Sequence, residues 1–223
     1  MIICGIDFET TGLDSSKDEV IETGLVLWDW ERKAPLKIAN ILTKPTNPLS
    51  PEIMKITGIT DSDFEFAAPK QTLIDNLEWF FNHSDYVMAH NAQFDKGFSK
   101  KLLKDEKGWL CSREDIEYDD FKHKAKNLAT LAATHGFLNP FAHRAVFDVL
   151  TMFKVAQNYD INKIIERSKS PSVKVISLAS FDEKEKVKAA GFYWDSAKKV
   201  WYTNIKSCDM EKANWDFKFK IEA

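Results

Sequence analysis

The chain has 223 residues, 44% of them hydrophobic, enough to bury a full core in one large domain or in a large and a small one. Its 31 basic and 34 acidic residues leave a formal charge of −3, so no overall positive field draws in a polyanion, and nucleic-acid chemistry would have to rest on local basic patches or bound cations. Cys4, Cys111 and Cys208 form no CxxC pair, which excludes a disulfide framework or zinc knuckle, and no stretch nears the roughly 20 apolar residues of a membrane span, so a cytoplasmic protein with no membrane contact is expected.

In chain order, Ile2 to Phe8, Val20 to Trp28 and Lys37 to Thr43 read as three strands with an antiparallel start. Ser50-Pro51-Glu52 opens a helix that Gly58 stops. A second helix starts at Pro69, with Leu73, Ile74, Leu77, Phe80 and Phe81 at spacings of three and four. Tyr86 to Ala89 reads as a short buried strand, and the helix after it carries Phe94, Phe98, Leu102 and Leu103. Two further helices cover Asn127 to His135 and Ala145 to Ala156. Strands first and helices interleaved with short strands afterwards predict an α/β domain, a mixed sheet flanked by helices.

Asp7-Phe8-Glu9 closes the first strand. Residues two apart on a strand share a face, so two carboxylates stand side by side where the backbone leaves the sheet. A polar, solvated strand end is the ordinary reading of such a pair. The adjoining turn and two blocks further along the chain weigh against it. Gly12 in the turn Thr10-Thr11-Gly12-Leu13 lets backbone approach a ligand, His90-Asn91-Ala92-Gln93-Phe94-Asp95 opens one helix, and His143-Arg144-Ala145-Val146-Phe147-Asp148 begins another. Clustered carboxylate oxygens suit Mg²⁺ or Mn²⁺. His83, His123 and His135 read as structural.

These three blocks, from Gly5 to Leu13, His90 to Asp95 and His143 to Asp148, resemble the three motifs of the DnaQ-like, DEDDh-type 3′→5′ exonucleases, as do Glu22 in Val20-Ile21-Glu22-Thr23-Gly24, the Ile56–Thr60 segment and Asn127–Leu131. The likeness covers roughly residues 1 to 157. It implies a ribonuclease-H-like exonuclease fold, and two Mg²⁺ or Mn²⁺ held by Asp7, Glu9, Asp95 and Asp148, with His143 as general base. It also implies a nucleotide pocket around Thr10, Thr11, Leu13, Ile59, Asn91 and Phe94, while Leu13, Ile59 and Phe94 read equally well as core positions. The implied substrate is a nucleic acid with a free 3′ end. Single-stranded DNA is favoured, because bases must unstack to reach buried metals. The alternatives are an exoribonuclease and a non-catalytic binding module of the same fold.

The helical pattern dissolves at Lys163 to Ser172, read as a linker between a domain of residues 1–162 and a small α+β module of 173–223. In that module Val173 to Ala179 reads as a strand, Asp182 to Ala190 as a helix, Phe192 to Thr203 as a hairpin, and Trp215, Phe217, Phe219 and Ile221 as the apolar alternation of a final strand. Its aromatics, Tyr193, Trp194, Trp201 and Tyr202, interleave with Lys198 and Lys199. They would form either the core of so small a module or a stacking surface for nucleic acid, and docking of a replication or repair protein is a third use.

Overall fold

Alternation along the first strand decides the layering of the larger domain. The computed structural model describes residues 1–104, 106–118 and 126–222. In β1 (Ile2–Thr10), Cys4, Ile6 and Phe8 face one way and Ile3, Gly5, Asp7 and Glu9 the other. β1 pairs antiparallel with β2 (Val20–Asp29), and β2 pairs antiparallel with β3 (Ala34–Leu42). On its other edge β1 runs parallel to β4 (Tyr86–Ala89), which runs parallel to β5 (Gly108–Cys111). The result is a mixed five-stranded sheet in the order β3-β2-β1-β4-β5.

Cys4, Ile6, Phe8, Leu25 and Leu27 pack on Leu73, Leu77, Phe80 and Phe81 of α2 (Lys70–Asn82) and on Phe98 of α3 (Ala92–Leu102). A separate core joins Ile3, Val26 and Trp28 to α4 (Leu128–Thr134), α5 (Ala145–Ala156) and α6 (Ile161–Ser168). Trp28 and Phe153 stack within it, ring centroids 4.9 Å apart. Ahead of α2, α1 (Pro51–Thr57) is capped as its sequence asks: the Ser50 side chain accepts from the Ile53 N–H, and Gly58 ends the helix at φ 69°.

The chain divides into two compact units, Met1–Ile165 and Glu166–Ala223. The stretch expected as a linker at 163–172 is helical up to Ser168, because Ile164 and Ile165 bury against the first unit's core and outweigh the polar residues around them. β5 is an addition to the expected strands; its four residues carry too little pattern to be read as one. The second unit holds β6 (Ser172–Ser177), α7 (Lys184–Ala189), β7 (Tyr193–Asp195), β8 (Val200–Lys206) and β9 (Phe219–Glu222), with sheet order β7-β8-β6-β9. The final strand is shorter than its alternation suggests. Phe217 turns into the unit's core ahead of it, and Trp215 packs beside that core.

Two glycines set how closely α5 approaches the sheet. A Cβ at Gly24 would lie 2.4 Å from backbone atoms of Ala145 and Val146, and one at Gly5 would lie 2.3 Å from the Phe153 ring. At Gly24 the obstacle is helix backbone, which cannot rotate away. Gly24→Ala is therefore expected to cost about 1–3 kcal/mol of stability by pushing α5 outward, measurable as a lower urea midpoint, with an unchanged midpoint refuting the close-packing role.

Candidate active site

The carboxylates converge at the end of β1. Strand periodicity carries Asp7 and Glu9 to the α5 side, and α5 brings Asp148 in its first turn. Oxygen atoms of these three residues lie within 4.8 Å of one another, the one such group of potential metal ligands among the described residues. Asp95 arrives from α3 and is buried, its Oδ1 accepting the Phe8 backbone N–H at 3.1 Å, between Asp7 and Glu9.

Such a set is electrostatically uncomfortable without a cation. Burial, then the charges of Asp148 and Glu22, pushes the Glu9 carboxyl up to about 8. Burial also pushes Asp95 up to about 8, against the stabilising Phe8 N–H. Asp7 is raised by burial first and then by the charges of Asp95, Glu9 and Asp148. Asp148 is raised by burial, offset by the backbone and charge of His143. Four oxygen-donor side chains that cannot all ionise alone fit hard divalent cations.

His143 is exposed just ahead of α5, with its backbone in the left-handed region at φ 63°. The nucleotide-pocket candidates are placed unevenly. Thr10 is buried and its hydroxyl donates to Gly12 O at 2.6 Å, while the Thr11 Oγ1 accepts from the Glu19 N–H. Leu13 is almost fully exposed, at 87%. Ile59 is enclosed with Ile21, Leu49 and Phe64. Asn91 caps α3 in the left-handed region at φ 77°, and Phe94 is half-buried against Phe98. His83 and His135 bond to the carbonyls of Trp79 and Leu131 respectively, consistent with structural roles, and His123 lies outside the described residues.

A family model described as Exonuclease, RNase_T, matches residues 4–156. The chain belongs to this exonuclease family. The PolC-type DNA polymerase III of Bacillus subtilis (strain 168) is 34% identical over 158 residues, 64% of this chain and 10% of that protein, so the exonuclease chain spans about a tenth of that relative's length. A structure of exonuclease X in complex with 5′-overhanging duplex DNA aligns with a TM-score of 0.54 at 20% identity, covering 74% of this chain and 99% of that one. The nuclease domain of 3′hExo, a DEDDh family member bound to rAMP, aligns with a TM-score of 0.57 at 18% identity over 70% and 90% of the two chains. These likenesses establish the ribonuclease-H-like fold.

Two supports of the carboxylate group have no role of their own in the sequence reading. Asn139 donates from Nδ2 to Asp148 Oδ1 at 3.0 Å, while its own carbonyl accepts the Phe141 N–H, so both ends of the amide are fixed. The Asn139-Pro140 pair is a turn signal, but nothing local tells where the amide points. Glu22, which enters the sequence reading only as part of the resemblance, accepts from Arg144 Nη2 at 2.8 Å, from the Ala145 N–H at 2.9 Å and from Asn40. Among the described residues no helix is long and apolar enough to cross a membrane.

The raised carboxyls have a thermodynamic consequence. A group whose folded pKa lies above its unfolded one stabilises the fold while protonated; for Glu9 that contribution is complete below about 4.5 and lost as pH rises through about 8. The chelator-treated protein is expected to lose melting temperature between pH 4.5 and 8, and Mn²⁺ at one hundred times its Kd, added at pH 8, to restore about 2.7 kcal/mol. A flat profile by calorimetry, unmoved by Mn²⁺, would contradict the site's cation dependence.

Proposed function

We propose that the chain is a divalent-metal-dependent exonuclease that releases nucleoside monophosphates from the 3′ end of DNA, with single strands preferred. The observation that carries this reading is the convergence of Asp7, Glu9 and Asp148, with Asp95 beside them, at the end of one strand. In this reading Asp7, Glu9 and Asp148 hold one Mg²⁺ or Mn²⁺, and Asp95 with Asp7 a second. Bound there, the two ions would polarise the scissile phosphate and its attacking water and stabilise the leaving 3′ oxygen.

The chain's own groups do the rest. His143 takes a proton from the water, a role suited to imidazole where the neighbouring carboxylates are committed to cations. Its strained backbone and exposure leave the ring accessible to solvent and substrate. Asn139, with the backbone N–H groups of His143 and Arg144, holds the Asp148 carboxylate in place beside Asp7 and Glu9. In the turn after β1 the Thr10 hydroxyl is spent on Gly12 O and the N–H groups of Thr11 and Asp14 on Glu19 O and Asp18, so the exposed Leu13 is what the turn offers an unstacked base. DNA as substrate is supported by the DNA polymerase relative, and any pairing with a replication protein belongs to the same proposal. RNA is the second reading, favoured by the rAMP in the 3′hExo structure.

With Mg²⁺ or Mn²⁺ a 5′-labelled single-stranded oligonucleotide is expected to shorten into a ladder from its 3′ end, and with EDTA to stay intact. Loss of nucleotides from the 5′ end instead would overturn the polarity, and a faster rate on a matched RNA would shift the substrate. Asp148→Ala should abolish turnover with an unchanged circular dichroism spectrum; a near-normal rate would remove Asp148 from the metal set. His143→Ala should lower kcat by about 10²–10⁴-fold while Mn²⁺ binding by calorimetry persists, and a smaller effect would assign the base elsewhere.

A further inference from the structure

The second unit lies beyond residues 4–156 matched by the exonuclease family, and its aromatics divide between a core and an exposed set that includes Tyr193 and Trp194. Phe192 and Phe217 form its core with Val175 and Val187, and Trp201 and Trp215 pack at the margin. Val187 belongs to α7, so within this unit the apolar packing is built on the Val175 side of the sheet. On the opposite side the register aligns Tyr193 with Tyr202, Tyr202 with Ile176, and Ile176 with Lys220, one row across all four strands. The two tyrosine rings lie 6.4 Å apart, and Tyr193 is 60% exposed.

Charge surrounds this row. Lys174, in the adjacent row, sits 4.7 Å over the Tyr202 ring. Glu222 is engaged by Lys174 and Lys198, and Asp195 by the N–H groups of Ala197 and Lys198. Lys220 is exposed, with no carboxylate partner among the described residues. Residues 170–223 hold ten Lys against eight Asp and Glu, a net +2, which leaves −5 for the remainder of a chain of −3.

We propose that this tyrosine–lysine face of the second unit is a binding surface for single-stranded nucleic acid, separate from the carboxylate site. The tyrosine pair shields the buried Ile176 beneath it and presents the exposed Tyr193 ring at its edge, where a base can stack without regard to sequence, while the Lys220 ammonium beside the row can meet a phosphate. A protein partner would use the same face differently, with no preference for unstacked bases. The use of this surface rests on the exonuclease reading above, since the remainder of the chain is acidic and a nucleic-acid substrate would need a positively charged surface to retain it.

The test is fluorescence anisotropy of a labelled thirty-residue oligothymidylate with the full chain in EDTA, which separates binding from turnover. Tyr193→Ala should weaken affinity by about tenfold or more, whereas Tyr193→Trp should keep it. Lys220→Ala should reduce the slope of log affinity against log salt by about 0.7. Both alanine variants should leave turnover of a nitrophenyl ester of thymidine monophosphate unchanged. Equal affinity of wild type and Tyr193→Ala, or equal affinity for single strand and blunt duplex, would overturn the proposal. Failure of the catalytic reading would show separately, as absence of metal-dependent release by the wild-type chain.

Discussion

Glu22 stands opposite Glu9 in the β1–β2 register, and its carboxylate is buried. A buried carboxylate beside another one survives only with strong partners. Here they are the Arg144 guanidinium, the first N–H of α5 and the Asn40 amide. The interaction is charge-assisted, and it also places an anion at the positive end of a helix. It fixes the start of α5 in rotation and in height over β2. Everything that α5 and the loop before it carry toward β1, namely His143, Arg144 and Asp148, takes its position from this contact.

The contact needs Gly24 two residues along β2. With no side chain there, the helix backbone rests on the sheet, and Asp148 comes within 4.8 Å of Asp7 and Glu9. A longer approach distance would leave Glu22 unable to reach the Ala145 N–H and would open the carboxylate group. The site is thus held by one ion pair and one missing side chain, both on β2, a strand that supplies none of the four proposed metal ligands. Asn139 adds finer control, fixing the orientation of the Asp148 carboxylate together with the backbone of His143 and Arg144.

Much of this is legible in the sequence because period-2 and period-3.6 patterns report burial directly. β1, β2, α2, α3 and α5 follow from their apolar spacing, and the spacing of Asp7 and Glu9 already places both carboxylates on one face. What stays hidden depends on groups distant in sequence. The Glu22–Arg144 pair joins residues 122 apart, and nothing local to either distinguishes it from two surface charges. β5, with four residues, has too few alternations to register, and α6 is masked by its own polar composition until Ile164 and Ile165 meet a core made by other elements. Ile59 shows the converse: an apolar residue whose type alone suits either a pocket wall or a core is enclosed with Ile21, Leu49 and Phe64.

The aromatic run from Phe192 to Tyr202 poses a choice between core and surface that composition alone leaves open. Geometry answers with both, because neighbouring residues on a strand must face opposite ways. Phe192 goes inside and Tyr193 outside; Trp201 packs inward while Tyr202 lies beside Tyr193 on the outer face. A unit of this size needs large side chains within to fold at all. Hydrophobic collapse accounts for the inward set and for the part of Tyr202 that shields Ile176, but not for the 60% exposure of Tyr193 beside lysines in a segment of net positive charge. That exposed aromatic ring is the feature on which the proposed binding surface of the second unit rests.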